Sequence, residues 1–527
     1  MKYFLRIYHT IRHIKLIQLY YQIWYRIKDR FLSINWYKGY RYSEIRSFQI
    51  NVDAILQTGY QEFTADNRFS FIGIHHHFKD RIDWNYEGHG KLWNYNLQYF
   101  SYLLDERIDP GIRKKLLEQF SEALLNEQVR PEPYPVSLRI VNILLFYNRY
   151  PIKDPEILRV FFMQVNYLEC NLEYHLLANH LLENAFSLYL VSLFLDDGRF
   201  YKRASTLLID QLKEQILSDG GHYECSPMYQ SILLAKLFLC IEVARQSSLV
   251  AVSELAFLEK KAESMLGWMN TYSFPDGSWA LMNDAAEGIA PTTQQLNQAA
   301  DYLHLMPASV QLNESGFRKL SGNNWEIIIK TGNVCPSFQP GHIHSDILSF
   351  CLWYKGKQVI VDPGTSTYTI SPQRSKERGT SFHNTVSVIG YNQSDVWGGF
   401  RVAKRANCKV FVDQPDRIEA TVFNYGGTGF QHKRIFIAHS NILFIVDEVS
   451  GYEKFKSLSL GSLQFDNEIL DVKEGNVTFD GGICLYVPNT TLAKESSSFA
   501  KKFNQLQSAV RITYPVENTT ELQFHFL

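Results

Sequence analysis

The stretch Gly341-His342-Ile343-His344-Ser345-Asp346, followed by Ile347-Leu348-Ser349-Phe350-Cys351-Leu352-Trp353-Tyr354, decides how the C-terminal half of the chain is read. It continues through Val361-Asp362-Pro363-Gly364 and closes on Arg378-Gly379-Thr380-Ser381-Phe382-His383-Asn384. The apolar run reads as a strand buried on both faces. Side chains of an extended chain alternate, so His342, His344 and Asp346 are expected on one side of it. The Val-Asp-Pro-Gly stop and the His-Asn loop would bring Asp362 and His383 back to that side. Imidazoles with a carboxylate suit a zinc-type site.

Around this stretch lie short β-branched or aromatic runs bounded by Gly, Asn, Asp or Pro, at 325–330, 358–361, 385–389, 408–412, 417–422, 434–438, 442–446 and 522–526. Their density predicts antiparallel sheets packed as a sandwich. Upstream the period changes. Segments 112–127, 135–147, 155–170, 175–195, 202–217, 228–245 and 253–269 carry apolar residues at three- and four-residue spacing, separated by short polar or Pro/Gly breaks. This predicts an all-α array of helical hairpins, closed into a toroid. The boundary falls near 308–321 without a low-complexity linker, so a fixed interface with a ligand cleft is expected.

At 527 residues the chain accommodates two large domains or three ordinary ones. Its 53 Lys and Arg nearly balance 54 Asp and Glu, which argues against a general nucleic-acid binder. The seven cysteines are odd in number, scattered and without a Cys-x-x-Cys pair, so no disulfide framework is expected. Residues 1–30 are basic and aromatic, a poor signal peptide and too short in their uncharged run to span a bilayer. Ile7, Ile11, Ile14, Tyr21 and Tyr25 keep helical spacing, which predicts docking on the body of the protein, with contact to an anionic membrane surface as the alternative.

Polar residues interrupt two greasy helices. Asn179, His180 and Glu183 stand near one face of the segment 175–195, where unpaired polar groups would be costly. Ser226-Pro227 opens the next such helix with a cap and a first-turn proline, placing Tyr229 where the helix N-terminus could favour a phenolate. Asn283-Asp284 reads as part of a structural polar loop. Phosphate loops, nucleophile elbows and dinucleotide fingerprints are missing from the sequence.

The chain resembles the heparinase II/III-type polysaccharide lyases. The resemblance rests on Leu92-Trp93-Asn94-Tyr95-Asn96-Leu97-Gln98-Tyr99-Phe100, on His-x-His-x-Asp, on Val-Asp-Pro-Gly and on Phe-His-Asn-Thr. It implies an α+β chain with an incomplete (α/α) toroid at 91–312, an antiparallel β-sandwich at 313–527 and, before them, a helical extension at 1–90. It implies β-elimination on a uronic-acid-containing polysaccharide. Asn179, His180 and Glu183 fall where the family neutralises the uronate carboxylate, Tyr229 on its catalytic tyrosine and His342 on its catalytic histidine. His344, Asp362 and His383 fall on the ligands of one structural zinc. Arg374, Arg378, Gln98 and Trp93 are candidate substrate contacts. Two departures stand out: Gln98 replaces a frequent histidine, and Asn283-Asp284 replaces a more usual Gly-Asp. The family points to the periplasm, whereas the missing signal pattern points to the cytoplasm or an inner-membrane face. Two rivals remain, a glycoside hydrolase using Glu183 and Glu224 and a non-catalytic glycan-binding or assembly protein. No motif speaks to oligomeric state.

Overall fold

The computed structural model describes residues 2–31, 44–56 and 62–527, apart from 65, 452, 457, 467–468, 474 and 480–481. Two helices open it, α1 (Lys2–Ile11) and α2 (Leu16–Phe31), followed by a short α3 (Val52–Leu56). The expectation of a purely helical extension fails between 62 and 77. There Glu62–Thr64 (β1), Arg68–Phe71 (β2) and Ile74–His77 (β3) form an antiparallel sheet. Phe69 and Phe71 alternate into the core from β2, a two-residue period too short to stand out in the sequence.

The toroid helices follow: α4 (Lys91–Tyr99), α5 (Pro110–Leu125), α6 (Pro133–Arg149), α7 (Pro155–Cys170), α8 (Ala178–Phe194), α9 (Gly198–Gln215), α10 (Pro227–Ala244), α11 (Val252–Tyr272) and α12 (Thr293–Tyr302). Their starts are written in the chain. Asp109 accepts hydrogen bonds from the Gly111 and Ile112 N–H groups and Asp154 from those of Glu156 and Ile157, each ahead of a first-turn proline. Helix α8 packs against α6, α9 and α10 and is buried on all sides except at His180.

The C-terminal half is a sandwich of two antiparallel sheets. One runs, in spatial order, Asn407–Gln414, Arg417–Phe423, Gln431–His439, Ile442–Ser450, Thr519–Phe526, Ile483–Tyr486, Asn476–Phe479 and Ile469–Lys473. The other runs Ala493–Lys502, Gln505–Pro515, Ser459–Phe465, Lys357–Ile360, Phe350–Tyr354, Trp325–Lys330 and Phe317–Gly322, with Val386–Val388 paired to Ser459–Phe465. The expected strand at the His-x-His stretch begins only at Phe350. Residues 341–349 are loop and turn, with Leu348 at φ 64, so His342 and His344 meet through tertiary contacts and not through strand alternation.

The halves are clamped together. Trp268 and Tyr272 of α11 pack edge-on against Phe317 at centroid distances of 6.1 and 5.0 Å. The Asp219 carboxylate accepts from the Asn313 and Ser315 N–H groups, both at 2.9 Å, across the domain boundary. Inside the sandwich, Arg434 donates to both oxygens of Asp447 at 2.7 and 2.8 Å and to the Leu348 and Asn384 carbonyls. All of these groups are buried, so one ion pair ties the sheet to two loops of the site described below. Removing one partner of such a pair strands the other charge. Arg434→Ala should therefore lower unfolding free energy by about 3–5 kcal/mol in chemical denaturation; a loss below about 1 kcal/mol, the range of an exposed pair, would contradict this.

Candidate active site

A cleft of about 330 Å³ lies between toroid and sandwich. Its toroid wall carries Lys91, Tyr95 and Tyr99 of α4, Tyr134 of α6, Asn179 and His180 of α8, and Tyr229 of α10; the sandwich contributes His342, Tyr368 and Phe400. Among the described residues no Asp or Glu lines it. Its charged and titratable groups are cationic or aromatic, which suits an anionic ligand with flat apolar faces.

Backbone strain aims the polar groups. Leu177 and Ala178, at φ 64 and 54, precede Asn179; Cys225, at φ 55, precedes Ser226-Pro227; and Asn283, at φ 60, precedes Asp284. Non-glycine residues in the left-handed region cost about 1–3 kcal/mol each and persist where the surroundings over-determine them. Asn283 also explains a departure noted in the sequence, since asparagine and glycine are the residues that accept this conformation most readily. Its side chain adds bonds a glycine could not make: it accepts from the His344 N–H at 3.0 Å and from Lys330, and donates to the Cys225 carbonyl at 2.7 Å.

Asp284, read from sequence as structural, is the hub of the site. The fully buried carboxylate accepts from His342 Nδ1 at 2.9 Å, His344 Nε2 at 2.9 Å, Thr365 Oγ1 at 3.1 Å, and the Arg374 guanidinium through Nη1 and through Nη2 at 2.7 Å. Burial alone would raise its pKa, but Arg374 and the two imidazoles outweigh burial and hold it well below the usual carboxylate range. With Nδ1–H given to Asp284, the Nε2 lone pair of His342 is left for the cleft. The His342 ring lies 4.1 Å from the Tyr229 ring, and the Tyr229 hydroxyl is 3.2 Å from that of Tyr368.

The helix N-terminus does not turn Tyr229 into a phenolate. Burial, with Asp284 and Glu224 nearby, raises its pKa and outweighs the lowering by Tyr368 and Arg374, so the group is a neutral phenol. His180 has the opposite balance. Burial lowers its pKa, but Glu173, whose Oε1 accepts from Nδ1 at 2.9 Å, prevails and the net shift is upward. Asn179 Nδ2 donates to both oxygens of Glu224, at 3.0 and 2.9 Å, and lies 3.5 Å from His342 Nε2. Glu183 does not reach the cleft; it is buried behind it, with Oε1 unpartnered.

Four further expectations are corrected. Arg374 is fully engaged by Asp284 and the Gly399 carbonyl, and Arg378 is buried and donates to the Ile343 carbonyl, so neither offers a free guanidinium to a ligand. Trp93 donates Nε1–H to the Ile74 carbonyl, and Gln98 donates to the Trp84 carbonyl, both on the buried face of α4. The motif containing them was the right one, but the opposite face, Lys91, Tyr95 and Tyr99, meets the cleft. Their spacing of four was the available signal.

Below His342, the side chains of His344, Asp362 and His383 are buried and offer ligand atoms that all lie within 4.8 Å of one another. His344 gives Nε2–H to Asp284, while its Nδ1 is buried with no hydrogen-bond partner, as is His383 Nε2. Buried imidazole nitrogens left without hydrogens or partners are what a metal site requires, and a carboxylate fixing the other nitrogen is the usual support. The donor set fits a divalent cation. Gly364, at φ 65, lets the Asp362 loop approach the sheet; a Cβ there would stand 2.1 Å from the Ala500 carbonyl oxygen.

The architecture is that of a toroid-and-sandwich protein with its cleft at the domain junction. Residues 142–313 match the heparinase II/III N-terminus and residues 306–524 the heparinase II/III-like C-terminal region, so the chain belongs to the heparinase II/III family. It is 22% identical over 387 residues to a heparin-sulfate lyase of Bacteroides stercoris, covering 65% of this chain and 55% of that protein. A heparin-sulfate lyase of Pedobacter heparinus is 22% identical over 423 residues, covering 69% and 61%. The matched part thus spans less than two thirds of either relative. A heparinase III crystal structure superposes with a TM-score of 0.65 at 16% identity, covering 97% of this chain and 91% of the other, which establishes the shared fold.

Because the folded pKa of Asp284 lies below the unfolded value of about 3.9, its contribution to stability is complete above that value and is lost as pH falls through the folded one. Asp284→Asn should lower stability at neutral pH by about 3–5 kcal/mol. Its unfolding midpoint should also fall less than the parent's between about pH 6 and about pH 3. Equal pH slopes in a thermal-melt series would remove Asp284 from the linkage.

Proposed function

We propose that the protein is a polysaccharide lyase that cleaves a uronic-acid-containing glycan by β-elimination, leaving an unsaturated uronide end. The observation that carries this reading is the His342–Tyr229 pair: an imidazole whose Nε2 faces the cleft beside Asn179, its ring tilted 31° against a neutral phenol at 4.1 Å, in a cleft whose described lining residues are cations, aromatics and uncharged groups with no carboxylate. A uronate entering beside His180, whose pKa Glu173 raises against burial, has its carboxylate charge offset by the imidazolium, which acidifies the neighbouring C–H; Asn179 lies beside the same position. His342 Nε2 takes that proton, the C–H electron pair becomes the new ring double bond, and the glycosidic C–O bond breaks. The Tyr229 hydroxyl protonates the departing oxygen. For the epimer whose proton faces Tyr229, the phenol would have to act as base, a role its raised pKa opposes in the free protein.

Asp284 is a positioning residue: it sets the His342 tautomer and bonds to His344 through its other oxygen. His344, Asp362 and His383 would hold one zinc ion, which when bound supplies a fixed positive charge that braces the loop presenting His342. The hydrolase alternative loses support, because Glu183 and Glu224 are buried and Glu224 is occupied by Asn179.

A panel of acidic polysaccharides, read by the ultraviolet absorbance of unsaturated products, tests the reaction and the substrate class together. On a substrate the parent cleaves, Tyr229→Phe should lower kcat by about 10²–10⁴-fold with little change in KM. Near-normal turnover in that variant would end the tyrosine assignment. Metal analysis should find close to one zinc per chain, retained in His342→Ala and lost in His383→Ala; zinc lost equally from both would place His342 in the coordination sphere.

A further inference from the structure

The N-terminal helices present two faces, and only one of them is used by the fold. On α2, the face made by Gln18, Tyr21 and Tyr25 docks: Gln18 donates to the Leu176 carbonyl at 3.3 Å, the Tyr21 ring stacks on Tyr174 at 4.7 Å, and the Tyr25 hydroxyl donates to the Leu172 carbonyl. On α1, Arg6 pairs with Asp395 at 2.8 Å and Thr10 accepts from Trp397 Nε1 at 3.2 Å. On this side α2 contacts the toroid and α1 the sandwich. The other side of α2 shows Leu16, Tyr20, Ile23, Trp24 and Ile27 to solvent at spacings of three and four, and Phe4, Tyr8 and Ile11 do the same on α1. Of the 23 large apolar side chains exposed among the described residues, eleven lie between Tyr3 and Ile27. Such a concentration marks a binding face rather than scattered surface residues.

The charge is segregated in the same way. Residues 1–31 hold seven Lys or Arg against one Asp, while the remainder of the chain holds 46 against 53. Some of these cations are neutralised by the fold, as Lys15 is by Glu214. Arg12 and Arg26 are exposed and have no carboxylate partner among the described residues. Arg12 lies near a second unneutralised cation, the half-buried Arg405, whose Nε has no hydrogen-bond partner. Burial chiefly, and then Arg405 and Arg12 beside it, pull the pKa of His13 down to about 4.

We infer that this face binds an anionic lipid bilayer, with α1 and α2 lying in the interface plane, their aromatic and aliphatic side chains in the headgroup and acyl boundary and their arginines on lipid phosphates. A second copy of the chain would bring the same positive potential to the contact and meet repulsion; an anionic surface meets attraction. The inference stands on α1 and α2 alone and is independent of the chemistry in the cleft.

The test is vesicle co-sedimentation of the full chain. It should pellet with phosphatidylglycerol–phosphatidylethanolamine vesicles, remain in solution with phosphatidylcholine vesicles, and be released by salt. Ile23→Asp with Ile27→Asp should abolish pelleting. Arg12→Glu with Arg26→Glu should weaken it by at least about fivefold per reversed charge. All four residues are exposed, so an unchanged unfolding midpoint will verify that the variants fold. Three outcomes would overturn the inference: no pelleting with anionic vesicles, equal binding to phosphatidylcholine, or a concentration-dependent dimer that the aspartate pair dissociates while vesicle binding stays absent.

Discussion

The structure depends on one buried carboxylate. Asp284 joins Arg374, His342 and His344, so that the toroid loop between α11 and α12 and two loops of the sandwich share a single charge centre around a fully buried carboxylate. Buried charges are tolerated only when fully paired. The pairing here makes the relative position of the two halves a condition of electrostatic balance. The same carboxylate selects the tautomer of both imidazoles, sending one free nitrogen toward the cleft and the other toward the ligand cluster below it.

From this centre outward, the site separates charge by depth. Carboxylates sit behind the wall, with Glu173 on His180 and Glu224 on Asn179, while the wall itself shows cations, phenols and aromatic rings. Acidic groups one layer back shift the His180 pKa upward against burial, favouring its cationic form without placing a carboxylate on the wall. The left-handed residues at the starts of α8 and α10 and before Asp284 turn the chain so that short polar side chains lead into the junction.

The N-terminal helices add a surface of different character. Their docked face is polar and aromatic, made of specific contacts of α2 to the toroid and of α1 to the sandwich, and their outer face is apolar and flanked by arginine. A helix that needed only to cover the core would place charge outside, as α9 does with Lys202, Asp210 and Lys213.

What the sequence determined by itself was everything that rests on local periodicity and caps. The seven long helices of the toroid were legible from three- and four-residue spacing, and so were the short strands of the sandwich and the donor types of His344, Asp362 and His383, because these follow from nearest neighbours along the chain. The family motifs added His342, Asn179, His180 and Tyr229, all of which line the cleft. Tertiary structure alone decided which face of α4 meets the ligand, that Arg374 and Arg378 are internal braces, and that Tyr229 is neutral. It also decided that Asp284, in a polar loop read from sequence as merely structural, is the hub. Each of these turns on which groups from distant segments share a buried volume, and one sequence contains no term for that: burial sets both the pKa of a phenol and the partner of an arginine, and burial exists only once the two halves have closed on each other.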